Sequence, residues 1–379
     1  MRLMVLGGGQ LALMMCWEAQ RLPIRIAVYD RDDVAPAFKC AERSVDPFAD
    51  VERSDFVTYE FENVDLKVAE YAERLGKLRP ALEYLKVKKS RIEERRFFES
   101  LGVPTIPWRT ARGGLEALRL AESMGRAMVK VPTGGYDGKG QYAYPWEAGS
   151  IASLEGELLV EEYVEIKREF SIIAARGEDG DVVFYPPAQN YYVDGILVWN
   201  YAPADAPEEA YGYVYKILER WNYVGVLAVE FFEARDGRVL ANEIAPRVHN
   251  TGHWSLETDA SQFENHVRAV LGLPLKRLAA YRPTAMVNIL GRHYEELPIR
   301  KLEALGKVYW YGKREARPRR KMGHVNIVGR DVGEVISAAK VALKLIYGGD
   351  FAKLVLRPRA RLGVPSEAPK GAVALNRAA

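Results

Sequence analysis

"KVPTGGYDGKGQ", residues 130–141, sets Gly134, Gly135, Gly138 and Gly140 beside Lys130 and Lys139 in one short loop. Without a Cβ, glycine amides can fold over an anion at close range and reach backbone angles closed to other residues. An ordinary hairpin turn with a solvated lysine has much the same composition, and a lone glycine-rich loop is more often that. The rest of the chain decides.

Upstream of the loop the pattern alternates. "RLMVLG" (2–7) is a short apolar run ended by glycines, "LALMMCWEAQRL" (11–22) has helical character and "IRIAVYD" (24–30) is a second strand, which together make a βαβ unit. "DFVTYEFENV" (55–64) reads as a later strand of the same sheet that leaves into a loop with two carboxylates, and "KKSRIEERRFFESLG" (88–102) as one charged helix. The Pro-rich "GVPTIPW" is an extended connection to the next domain. From about 105 to 275 strands dominate: "RAMVKVP", "ELLVEEYV", "REFSIIAARG", "DVVFYPP", "VGVLAVEFFEA" and "RVLANEIAP" are separated by turns such as "RDGR", which predicts a mixed or antiparallel sheet. "DASQFENHVRAVLGLPL" (259–275) is a helix stopped by Gly272 and Pro274, and the strands "TAMVNILG", "GKVYWYGK" and "GHVNIVG" follow.

Composition narrows the function. The chain has 379 residues, enough for two or three domains, and 48% apolar residues to fill them. Lys and Arg total 54 against 51 Asp and Glu, so a net charge of +3 makes no electrostatic case for nucleic acid or an anionic membrane as partner. With no long apolar run and no secretion signal, a cytoplasmic protein is expected. Cys16 and Cys40 fall in different predicted elements without a Cys or His neighbour, which argues against a metal site and for buried thiols.

Three constellations carry chemistry. "GGGQLA" meets the dinucleotide pattern through Gly7, Gly9 and Ala12, with Asp30 ending the second strand, but any tight strand-to-helix turn favours these glycines and nothing later supplies a dehydrogenase. Glu230 in "AVEFF" and Glu243 in "ANEIAPR" lie on strands joined by an obvious hairpin, so both carboxylates and Asn242 can meet as a hard oxygen site for Mg2+; their apolar flanks argue against a merely solvated face. Directly after it, "APRVHNTGHW" (245–254) crowds Arg247, His249, Asn250 and His253 into one loop, which reads as an anion and substrate pocket.

The strings "GGGQLALMM", "TYEFENV", "GGYDGKGQ", "NEIAPRVHNTGHW" and "KMGHVNI" stand here in the order and spacing of the N5-carboxyaminoimidazole ribonucleotide synthases, ATP-grasp enzymes of purine biosynthesis that this chain resembles from residue 1 to about 350. The resemblance implies α/β and α+β architecture in three domains. A Rossmann-like domain would span 1–102 and an ATP-grasp domain 103–275, with a lid subdomain at about 105–160. A small β-rich domain would span 276–360, and a tail, 361–379, would lack fixed structure.

It implies ATP, Mg2+ (or Mn2+ in its place), bicarbonate and 5-aminoimidazole ribonucleotide as cofactors and substrates, and a homodimer. Arg91 and Lys130 would contact ATP phosphates, with Gly135, Tyr136, Asp137, Gly138, Lys139, Gly140 and Gln141 closing over them. Glu161, Glu162, Tyr163 and Val164 would hold adenine and Glu169 the ribose. Glu230 and Glu243 would bind the metal beside Asn242. Arg247, His249 and Asn250 would serve the bicarbonate chemistry, and Tyr136, Asp137 and Glu60 or Glu62 would meet the aminoimidazole. Lys313, Arg320 and Gln10 would receive the 5′-phosphate, which reassigns the "GGGQ" glycines from a dinucleotide to the substrate.

The family often has His where Tyr192 stands, and a glycine where Arg319 stands, so the choice between Arg319 and Arg320 stays open. Two other classes remain as alternatives. One is a related ATP-grasp ligase of the glycinamide ribonucleotide transformylase or biotin carboxylase type. The other is a non-catalytic nucleotide-binding protein.

Overall fold

The computed structural model describes residues 1–134 and 140–348. Gly135, Tyr136, Asp137, Gly138 and Lys139 of the opening loop, and the tail at 361–379, lie outside the described residues. Backbone contacts divide the chain into two compact units, one of residues 1–106, 164–192 and 196–348, the other Pro107–Tyr163 with Val193–Gly195.

The larger unit begins with a parallel sheet. Strand Arg2–Leu6 pairs on one side with Arg25–Tyr29 and on the other with Phe56–Tyr59, and the short strand Glu42–Arg43 lies outside Arg25–Tyr29. Helix Gln10–Ala19 buries Leu11 to Cys16 almost without interruption, which is why its apolar run shows so little helical alternation. The second sheet of this unit is antiparallel at the pairings around the site. Strand Gly225–Ala234 lies between Val239–Ala245 and Ile166–Arg176, and the sheet continues through Ala188–Val193 and Ile196–Ala202 to Thr284–Leu290, Lys321–Val328 and Lys307–Trp310. The last three strands therefore extend the central sheet.

The smaller unit has four strands in the order Trp108–Arg112, Glu157–Glu162, Ala127–Lys130 and Gln141–Tyr144, all antiparallel, with helix Gly114–Ser123 packed on them.

Two expectations need correction. The charged stretch 88–102 is two helices, Leu82–Lys89 and Arg91–Ser100, because Ser90 is extended (φ −121°, ψ 119°) and its hydroxyl accepts the amide of Glu93 at 3.3 Å. The cysteines are not free thiols. Cys16 and Cys40 form a disulfide across 24 residues, since the turn Pro36–Lys39 doubles back onto helix Gln10–Ala19.

His266 of helix Gln262–Val270 ties both sheets together. Its Nδ1 accepts the amide of Val226 at 3.1 Å, so Nε2–H is left to donate to Thr58 Oγ1 at 2.8 Å. Burial holds this imidazole at about 3, and burial holds His324 there as well. In the unfolded chain both titrate near 6.5. Between these values the unfolded state binds protons the folded state excludes, so their stabilising contribution is complete above pH 6.5 and is lost as the pH falls towards 3.

Each group adds a slope of up to about 1.4 kcal/mol per pH unit in that window. Urea midpoints should be level from pH 8 to 7 and fall steeply by pH 5. A stability unchanged between pH 7.5 and 5 would contradict the assignment.

Candidate active site

Glu230 faces Glu243 across the pair of strands Gly225–Ala234 and Val239–Ala245, and the register slips between Glu230 and Phe231. The irregularity leaves Asn242 as an extra residue beside Glu243, and such bulges re-aim side chains at functional sites. After Ala245 the chain leaves the sheet, and Gln262 clamps His249 from both sides: its Oε1 accepts the His249 amide at 2.9 Å and its Nε2 donates to the His249 carbonyl at 2.6 Å. The imidazole is thereby held with Nε2 3.9 Å from Glu230 Oε1. Ligand atoms of Glu230, Glu243 and His249 all lie within 4.8 Å of one another, the single such group of potential metal-binding side chains among the described residues.

The electrostatics suit a cation. Burial pushes Glu243 up, but the Lys88 ammonium, His249, Arg91 and Arg247 outweigh it and hold the carboxyl at about 2. Burial, with Arg247 and Lys321 beside it, holds His249 at about 3, so the ring is neutral. Tyr192 donates its buried hydroxyl to Glu230 Oε1.

Sequence reasoning missed Lys88 and Glu94. Lys88 Nζ lies 3.4 Å from Glu243 Oε1 and 3.3 Å from Glu94 Oε1, and that Glu94 oxygen also accepts the amide of Ile244 at 2.7 Å. Arg95 donates to the carbonyl of Asn242 at 2.8 Å. No local motif marks these residues, because the helix break at Ser90 decides which of the charges at 86–96 face the sheet.

The loop after the carboxylates divides its residues. Arg247 pairs with Glu62 and donates to the carbonyl of Val248 at 2.9 Å. Asn250 is 8% exposed, and neither atom of its side-chain amide has a hydrogen-bond partner among the described residues. A buried amide left unpaired is costly unless a ligand completes it. His253 belongs elsewhere: it is fully buried, its ring centroid 4.7 Å from that of His324 and its Nδ1 3.4 Å from the Tyr311 hydroxyl, so it is part of the core and not of the pocket.

At the first glycine turn, Glu60 fills the helix N-terminus. Its Oε1 accepts the amide of Gly9 at 2.6 Å, and its Oε2 accepts those of Leu11 and Ala12 at 3.1 Å each. A Cβ on Gly7 or Gly9 would stand 2.7 or 2.4 Å from this side chain. The glycines thus make room for a carboxylate of the protein itself. Asp30 takes the amide of Gly8 at 2.6 Å. Gln10 opens helix Gln10–Ala19. Lys313 Nζ is 5.7 Å from the Tyr311 ring centroid.

Arg320 is partly buried and donates to the Glu315 carbonyl at 3.1 Å. Arg319 is exposed at φ +70°, a conformation that favours glycine. Glu169 lies opposite Asn190 and Phe232 on neighbouring strands.

In the smaller unit Lys130 Nζ contacts Glu161 at 2.5 Å, both side chains buried, and Gln141 pairs with Lys130 across the strands. Gly140 accepts the amide of Val131 at 2.9 Å. The amides of Glu162 and Tyr163 go to the carbonyls of Pro107 and Arg126 at 2.9 and 3.0 Å. Val164 opens the next stretch of the larger unit.

Comparison with known proteins covers nearly the whole chain. Family models for a ribonucleotide synthetase preATP-grasp domain, an ATP-grasp domain and a phosphoribosylaminoimidazole carboxylase C-terminal domain match residues 1–89, 96–263 and 284–338. The N5-carboxyaminoimidazole ribonucleotide synthase of Saccharolobus solfataricus is 42% identical over 90% of this chain and 95% of its own length. That of Aquifex aeolicus is 39% identical over 91% and 96%. Among solved structures, N5-carboxyaminoimidazole synthase from Aspergillus clavatus in complex with ADP and 5-aminoimidazole ribonucleotide superposes with a TM-score of 0.80 at 25% identity, covering 91% of this chain and 98% of that one.

Proposed function

Because the chain belongs to the N5-carboxyaminoimidazole ribonucleotide synthases, ATP-dependent ligases that carboxylate 5-aminoimidazole ribonucleotide in purine biosynthesis, we propose how its side chains divide that work. ATP and bicarbonate are consumed, and ADP and phosphate are released. Bicarbonate is a poor electrophile; its phosphorylation by ATP gives carboxyphosphate, which releases CO2 beside the substrate amine. Three anions must approach one another, so the chemistry depends on positive charge and on exclusion of water.

Glu230 and Glu243 would hold Mg2+ or Mn2+, an assignment supported by two facing carboxyl groups gathered with an imidazole, with Glu243 kept charged. When bound, such a cation neutralises phosphoryl oxygens. Arg247 is held by Glu62 and offers its remaining donors to bicarbonate and carboxyphosphate. Neutral His249 orients the same anions by hydrogen bonding. Asn250 supplies the amide that still lacks a partner.

To the ATP phosphates we assign Arg91, Lys130 and the glycine loop, and to the nucleoside Glu161–Val164 and Glu169. Tyr136, Asp137 and Glu62 meet the aminoimidazole. Lys313 and Arg320 meet its 5′-phosphate, with Gln10 near the turn. Glu60 contributes by shaping that turn. The same reading makes the enzyme a cytoplasmic homodimer; no described helix is long and apolar enough to cross a membrane.

The observation that carries the proposal is the convergence of Glu230, Glu243 and His249 within 4.8 Å in a setting that keeps Glu243 charged. The test is ADP release by the purified protein. It should require both 5-aminoimidazole ribonucleotide and bicarbonate, and glycinamide ribonucleotide with formate, or biotin, should not replace them. ADP release indifferent to the aminoimidazole ribonucleotide would overturn it.

A further inference from the structure

Asn190 belongs to none of the constellations read from the sequence, and it is only 5% exposed on strand Ala188–Val193. Alternate residues of a strand share a face, and so do residues directly opposite one another on antiparallel strands. Asn190 is opposite Glu169. Ala188, two residues earlier, is opposite Ser171, which is in turn opposite Glu230. Asn190 therefore stands on the face of the sheet that carries Glu230 and, across the next strand pair, Glu243. Tyr192, the next residue of that face, donates to Glu230.

A chain of hydrogen bonds fixes how Asn190 is turned. Asn200, fully buried on the neighbouring strand Ile196–Ala202, donates Nδ2 to the Thr251 carbonyl at 2.7 Å. A carbonyl can only accept, so the nitrogen lies on that side, and the same nitrogen donates to Asn190 Oδ1 at 3.1 Å. Asn190 thus gives its oxygen to Asn200 and turns its own Nδ2 elsewhere. Thr251 is itself fully buried, and its hydroxyl lies 3.0 Å from His249 Nδ1. One continuous chain runs from Asn190 through Asn200 and Thr251 to His249, and Asn250 stands between the last two in sequence.

Asn190 Nδ2 has no hydrogen-bond partner among the described residues, and neither has Ser171 Oγ, 1% exposed and opposite Glu230. With Asn250, whose whole amide is unpaired, three incompletely bonded side chains lie on or next to the carboxylate face. Buried polar groups left in this way are costly unless something completes them. Nδ2 offers only hydrogens, so its partner is an acceptor. A neutral amide suits the place: a lysine or arginine there would be drawn into ion pairs with Glu230 and Glu243, whereas an amide stays available to an anion.

We propose that Asn190 donates Nδ2 to an oxygen of bicarbonate, and of the carboxyphosphate made from it, and that Asn200 is the positioning residue that orients this amide together with the segment His249–Thr251. The inference rests on the reading of His249 and Asn250 as bicarbonate residues given above. Bicarbonate is the substrate indicated, because the hydrogen-bonded chain passes Asn250 and ends on His249.

The experiment measures KM for bicarbonate, varied in CO2-depleted buffer, and KM for ATP and for the ribonucleotide. The proteins are wild type, Asn190→Leu, Asn190→Asp, Asn200→Leu and the double leucine variant, with Asn250→Ala as reference. In Asn190→Leu the bicarbonate KM should rise about tenfold, as expected for one lost hydrogen bond to a charged acceptor, while those for ATP and the ribonucleotide stay at wild-type values. Asn190→Asp keeps the shape and can still accept from Asn200, but it has no hydrogen to donate and adds a repelling charge. It should be impaired at least as much, and it carries the test should leucine prevent folding. Asn200→Leu should raise the bicarbonate KM by a smaller factor and spare the other two, which a general loosening of the fold would not do. Because both residues act through one chain, the double leucine variant should lose less than the product of the separate effects.

If Asn250→Ala raises the bicarbonate KM and neither Asn190 variant does, the inference fails and the functional reading stands. A rise confined to ATP or to the ribonucleotide in those variants would also overturn it, and so would equal rises for all three substrates, the mark of a packing residue. ADP release by wild type that does not respond to bicarbonate would remove both. Fully independent effects in the double variant would refute the part assigned to Asn200.

Discussion

Glu243→Gln should lower the rate of ADP formation by about a thousandfold, roughly 4 kcal/mol of lost transition-state stabilisation, while the fold survives. The amide has the shape of the carboxylate and keeps an oxygen, so packing of the strand Val239–Ala245 is undisturbed. What disappears is charge. Glu243 is the carboxyl that the surroundings work hardest to keep ionised: Lys88 at 3.4 Å, His249, Arg91 and Arg247 together overcome the cost of burial and leave it at about 2. On the proposed assignment, a neutral group there would leave Glu230 alone to face the cation that the pair would hold.

The effect on stability should be small, because loss of the Lys88 contact is offset by relief of repulsion between two facing carboxylates. Single-turnover ADP formation, with urea melts of the same preparation, checks both halves. Wild-type turnover in this variant would remove the carboxylate pair from the mechanism.

Glu60→Ala should be the most damaging change to the N-terminal sheet, costing about 2–3 kcal/mol of stability. Three amides, of Gly9, Leu11 and Ala12, lose their acceptor at the start of a buried helix whose N-cap residue, Gly9, has no side chain to replace it. Burial raises the Glu60 carboxyl, and the amides of Ala12 and Gly9 with Lys313 and Arg247 offset this only in part, so the group serves as helix cap within reach of the fields of Lys313 and Arg247.

Substrate binding should suffer with stability, and the ribonucleotide KM should rise at least tenfold as the turn loosens. Glu60→Gln, which keeps an acceptor oxygen, should fall between wild type and Ala. Gly9→Ala tests the same contact from the other side, since its Cβ would stand 2.4 Å from Glu60 Oε1. Urea melts of the three variants give the measurement; an Ala variant as stable as wild type would mean the cap is dispensable.

Much was legible in the order of residues alone. Alternation of short apolar runs with helical stretches announced the parallel sheet of the first hundred residues, and turn residues between β-branched runs announced the antiparallel one. Glu230 and Glu243 could be paired from the hairpin "ARDGR" between them, because two strands joined by a tight turn have little freedom in register. Arg247, His249 and Asn250 followed from their position one step beyond those strands. All of these rest on local rules, in which neighbours in sequence are neighbours in space.

The rest was decided by contacts between residues far apart in the chain, which no local pattern encodes. The helix break at Ser90 turns Lys88 and Glu94 towards the strand Val239–Ala245, and so selects two charges out of a charged stretch. The carboxylate of Glu60 occupies a turn 51 residues earlier, so glycines that look like a dinucleotide fingerprint are there for a side chain of the protein. His253 sits four residues beyond His249 yet is buried against Tyr311 and His324, because the 3-10 turn Asn250–Glu257 carries it into the core. Two cysteines without neighbouring partners in sequence become a disulfide because the turn Pro36–Lys39 packs back on helix Gln10–Ala19. Sequence determines which groups a segment can offer; the burial of one segment against another determines which of them meet, because only there does the low dielectric make an unpaired charge or amide too costly to leave alone.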